Sequence, residues 1–99
     1  MKKFEYVKKS IERFVVIEVK KNGAGHIYEG KLDHLKEFIA YFGLDIEMLY
    51  QTFKAFKEKT LLSKGIMIVS INEDGGRCVN ISTHKDFEFA VRASIQYVA

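Results

Sequence analysis

With 99 residues, 47% of them apolar and 29% charged, the chain has the length and composition of one folded domain and excludes wholesale disorder. Its single cysteine, Cys78, excludes an internal disulfide framework, and no apolar run reaches the roughly 18 residues that a membrane span requires. The formal net charge of +3 is a weak basic bias, of a size that also keeps small proteins soluble.

Phe4, Val7, Ile11 and Phe14 recur at three- and four-residue spacings, which predicts an amphipathic helix from about Lys2 to Arg13 with lysines on its solvent side. The start, Met1-Lys2-Lys3-Phe4-Glu5, is basic, but no apolar segment or small-residue cleavage site follows, so the expected compartment is the cytoplasm. The β-branched run Arg13 to Lys20 predicts a strand, Asn22-Gly23 a turn with Gly25 as a bulge, and His26 to Glu29 a shorter return strand. A helix is expected from Leu32 or Asp33 to Phe42, with Leu35, Phe38, Ile39 and Phe42 on one face, Asp33 as its cap and Gly43 as its terminator. Asp45 then caps a helix running to about Lys59 on the apolar stripe Ile46, Leu49, Phe53 and Phe56.

From Gly65 the period changes, and Gly65 to Ile71 reads as the most hydrophobic strand, central in a sheet. Asp74-Gly75-Gly76 supplies a hairpin turn, Arg77 to Ser82 the return strand, and Thr83 with Asp86 a capping box for a last helix. That helix presents Phe87, Ala90, Val91, Ser94 and Val98 on one side.

These elements predict a single α+β domain over residues 1–99. Two β-hairpin–helix units form a four-stranded, mainly antiparallel sheet packed against helices in two layers. The order strong strand, glycine turn, weaker strand, helix recurs at an offset of 51, placing Ile17 over Ile68, Gly25 over Gly76 and Phe38 over Phe89. It suggests an internal pseudo-repeat of halves 2–42 and 46–98, with coincidence of a common topology as the alternative. Both faces of the central strand are apolar, and off-stripe aromatics such as Tyr41, Tyr50, Phe89 and Tyr97 add to the excess. Two layers cover only one sheet face. The second calls for a second copy, a protein partner or the N-terminal helix as its cover.

No motif singles out catalysis, and the protein is read as a non-enzyme without cofactor or metal. His26, His34 and His84 lack the spacing of a zinc site, and Cys78 sits inside a strand with no helix start to activate it. The glycine turns join strand to strand, whereas phosphate loops join strand to helix. Glu73-Asp74 and the pair Asp86 and Glu88 are explained by a turn and a helix start.

Charge is unevenly placed. Residues 1–21 hold seven Lys/Arg against three Glu and residues 54–66 four Lys against one Glu, while residues 22–53 hold five acids against two lysines. The helix pair 32–42 and 45–59 superficially matches a helix-turn-helix, but strands replace the third helix of that fold. If the two basic helices lie side by side, their lysines form a stripe suited to phosphate. Two readings follow. The first, ahead on charge placement, is a small regulatory protein binding nucleic acid or a nucleoprotein complex through lysine-rich helices. The second is a homodimeric protein-binding adaptor or inhibitor that occludes a partner surface. The contact residues proposed for either are Lys8, Lys9, Arg13, Tyr50, Gln51, Lys54, Lys57, Lys64 and Arg77.

Overall fold

In the computed structural model, which describes residues 2–99, helix α1 (Lys2–Ser10) runs directly into strand β1 (Ile11–Val19). The helix ends three residues earlier than its apolar spacing predicts, because Ile11 pairs with Gly65 and the β-branched residues that follow favour the sheet. Ser10 closes the last helical turn, its hydroxyl donating to the Tyr6 carbonyl at 2.7 Å. Strand β2 (Gly25–Gly30) returns after a turn in which Gly23 takes φ +85° and Asn22 Oδ1 accepts from the Ala24 N–H at 2.9 Å.

The next helix begins as one 3-10 turn (Leu32–His34) and continues as α2 (Leu35–Tyr41). Asp33 lies inside the 3-10 turn and does not cap it, contrary to expectation. Gly43 does end the segment, at φ +63°. Asp45 caps α3 (Ile46–Thr60) as expected, its Oδ1 accepting from the Glu47 N–H at 2.9 Å. Strands β3 (Gly65–Asn72) and β4 (Arg77–Ser82) follow, joined by a turn with Gly75 at φ +87°. Thr83 and Asp86 do bond to each other, the Thr83 hydroxyl accepting from the Asp86 N–H at 3.2 Å. They form a turn ahead of α4 (Phe87–Val98) and not its first helical turn.

The sheet order is β2-β1-β3-β4. Each hairpin is antiparallel and the central pair β1–β3 is parallel, with Val15 opposite Ile68 and Val16 opposite Val69. The domain is thus α+β with a four-stranded mixed sheet packed against four helices.

Two cores flank the sheet. Phe14, Val16, Met67 and Val69 point to one face, where Val7 of α1, Leu35 of α2, and Leu49 and Phe53 of α3 cover them. Val15, Ile17, Val19, Ile66 and Ile68 point to the other, where Ala90, Val91 and Val98 of α4 cover them. The two-layer expectation is therefore corrected to three layers. The second apolar face is closed by α4 of the same chain, and α1 lies on the opposite side with α3. Alternating side chains of an apolar strand need cover on both faces, and a parallel central pair is the arrangement that most needs it.

Candidate functional site

Because α1 feeds β1, α3 feeds β3, and the two strands are parallel neighbours, the helices lie side by side and run the same way. Contacts between them follow that alignment: Lys3 meets Glu47, and Tyr6 meets Tyr50. The Tyr6 and Tyr50 rings make an edge contact at 4.8 Å between centroids. Lys57 Nζ sits 4.0 Å from the Tyr6 centroid and Lys3 Nζ 5.6 Å from that of Tyr50, both within cation–π range.

The α1–α3 surface is basic. The two helices hold seven lysines against three glutamates, an excess larger than the whole chain's +3, so the remaining residues are slightly acidic. Lys3 and Glu47 form an ion pair, and Gln51 Nε2 also donates to Glu47, at 3.3 Å. The hydrogen bond from Lys3 draws the Glu47 carboxyl below its ordinary range, with Gln51 adding to the shift. The same bond raises the Lys3 ammonium. Among the described residues, Lys2, Lys8, Lys9, Lys54, Lys57 and Lys59 make no ion pair. Lys2, Glu5, Tyr6 and Lys9 line a shallow depression of about 460 Å³ in this surface.

Of the residues singled out from sequence, Lys8, Lys9, Tyr50, Gln51, Lys54 and Lys57 thus lie on this helix pair. The other three lie elsewhere. Arg13 projects to the α4 face, its guanidinium 4.9 Å from the Phe87 centroid and its Nε donating to Glu29 at 3.1 Å. Lys64 sits in the loop before β3, beside Glu12 and His84, which pair with each other. Arg77 opens β4, close to Gly43 at the α2–α3 junction. Tyr6, which links the two helices, was not among the residues singled out; its signal was an aromatic off the apolar stripe of a lysine-rich helix.

Two other features complete the surface. Tyr28, His34, Glu37, Phe38, Tyr41 and Phe42 line an open depression of about 590 Å³ beside β2. Burial, with the Glu18 charge adding, raises the Tyr28 hydroxyl above its ordinary range. Among the described residues no group of three or more His, Cys, Asp or Glu is placed to hold a metal ion, and no helix is long and apolar enough to cross a membrane. No family model, curated protein or solved structure matches this chain.

Proposed function

We propose that the protein is a small non-catalytic regulator that binds nucleic acid, alone or within a nucleoprotein complex, through the α1–α3 face. The observation that carries this reading is the side-by-side placement of two lysine-rich helices whose unpaired lysines flank the Tyr6–Tyr50 contact. A row of ammonium groups on a helix pair meets backbone phosphates without reading base edges, so the binding is sequence-tolerant and salt-sensitive.

The test is fluorescence anisotropy with labelled duplex and single-stranded oligonucleotides over a range of salt concentrations. Binding at low salt should weaken steeply as salt rises, and Lys54→Glu and Lys57→Glu should each weaken it about equally on unrelated sequences. Each should also lower the slope of log affinity against log salt by about one. Absence of binding to either oligonucleotide at low salt overturns the reading.

The second reading, a homodimeric adaptor or inhibitor acting by surface occlusion, draws its support from a different region. The outer edge of β4 is free, and exposed apolar residues flank it.

A further inference from the structure

Strand β4 ends the sheet on one side. The phase of its backbone groups follows from the turn: the Asn72 N–H donates to the Gly76 carbonyl at 2.9 Å, making 72 and 76 a hydrogen-bonded pair. Antiparallel alternation then turns the N–H and C=O of Cys78, Asn80 and Ser82 toward β3 and those of Arg77, Val79 and Ile81 outward. This edge carries no proline or lysine against strand addition, and its one charged side chain, Arg77, stands at the first position of the strand.

Both faces beside the edge carry exposed apolar groups. On the α4 side, Phe89 (75% exposed), Ala93 and Tyr97 (77% exposed) follow at four-residue steps along one stripe. On the α3 side stands Met48, 47% exposed. Met48, Thr52, Cys78, Val79 and Tyr97 line one cavity of about 470 Å³ that wraps around the edge from face to face.

We infer that β4 pairs antiparallel with β4 of a second copy of this chain, about a two-fold axis at Val79. In that register Val79 faces the partner's Val79 and Arg77 faces the partner's Ile81, so every outward backbone group of the strand is bonded. The register keeps like faces together, bringing the two α4 stripes toward each other over one face and the two Met48 side chains toward each other over the other. Charge selects the same alignment. Continued past the strand ends, it sets the acidic turn residue Glu73 of one copy against Lys85 of the other, both being exposed. Lys21 already holds Glu73 and Asp74 from within the chain, the Glu73 carboxylate accepting from the Lys21 N–H at 2.9 Å, which fixes the acidic group in place. The opposite edge, β2, has glycine at both ends.

Sedimentation velocity on the full chain over a range of concentrations tests the inference. The unmodified protein should sediment as a dimer at about 100 µM or below, a modest affinity for an interface of this kind. Tyr97→Asp and Phe89→Asp, both at exposed positions, should each raise the dissociation constant by about tenfold or more with an unchanged circular dichroism spectrum. Lys85→Glu should raise it about fivefold, and the charge swap with Glu73→Lys should restore it. Ile27→Asp on the β2 edge, and Lys54→Glu and Lys57→Glu on the helix face, should leave the dimer intact; the lysine variants separate this test from that of nucleic-acid binding. A monomer at every concentration, a dimer insensitive to Tyr97→Asp and Phe89→Asp, or a dimer dissolved by Ile27→Asp overturns the inference.

Discussion

Asn72 Nδ2 donates to the Val98 carbonyl at 2.6 Å, tying the β3–β4 turn to the last turn of α4. The same side chain organises the turn itself, its Oδ1 accepting from the Asp74 N–H at 3.0 Å and the Gly76 N–H at 2.8 Å. One amide therefore serves both the hairpin and the helix that closes the second core. Asn72→Ala removes all three bonds and should destabilise the fold by about 1–3 kcal/mol in urea unfolding. Asn72→Asp keeps the acceptor but loses the donor, so it should fall between the two. Equal stability of Asn72→Ala and the unmodified protein would show that the link contributes nothing.

The Lys3–Glu47 pair predicts a pH dependence at the joint between α1 and α3. The Glu47 carboxyl lies lower in the folded than in the unfolded chain, so its contribution is present above the ordinary carboxylate range and is lost as pH falls through the folded value. The Lys3 ammonium is raised, so its contribution is present through neutral pH and lost only above the ordinary lysine range. Both side chains are solvent-exposed, and the effect is correspondingly small and sensitive to salt. The melting temperature of the unmodified protein should exceed that of Glu47→Gln at neutral pH and low salt. The gap should close on acidification and on adding salt; a gap that persists at acid pH would assign it to packing instead.

Helix α3 ends on Leu61, a non-glycine residue at φ +62° and 89% exposed. The left-handed conformation costs an L-residue roughly 1–2 kcal/mol, and here the side chain recovers little by packing. Glycine fits this position without that cost, although it loses more chain entropy on folding. Leu61→Gly should therefore stabilise the protein by up to about 1 kcal/mol in denaturant unfolding, with no change in the sheet. A loss of stability would mean that Leu61 makes contacts its exposure does not suggest.

Local signals in the sequence located most elements and several of their boundaries. Asp45 before Ile46, Gly43 after Phe42, and Gly75 in the second turn each act within a few residues, and each occupies the role its chemistry suggests. Ile66 through Val69, apolar at every position, correctly marked a strand buried on both faces. What supplies the second cover was not legible. It depends on the parallel pairing of Val15 with Ile68, a contact between residues far apart in the chain, which sends α4 to the face opposite α3. Arg13 illustrates the same limit at the candidate site. Its charge belongs to the basic N-terminal segment, yet the pleat of β1 turns it away from Lys8 and Lys9 and toward Phe87.

Cys78 faces α4 from β4, opposite Ser70 in the register with β3. Burial raises its thiol above the ordinary range, and the neighbouring Ser70 hydroxyl, which donates to the Ser94 carbonyl, offsets this only in part. A raised thiol holds little thiolate at neutral pH, and thiolate is the reactive form. Iodoacetamide should therefore alkylate Cys78 in the folded protein at least about tenfold more slowly than in the urea-unfolded chain, with the rate climbing only toward alkaline pH. Fast labelling of the folded protein at neutral pH would contradict this account and return the thiol to consideration as a nucleophile.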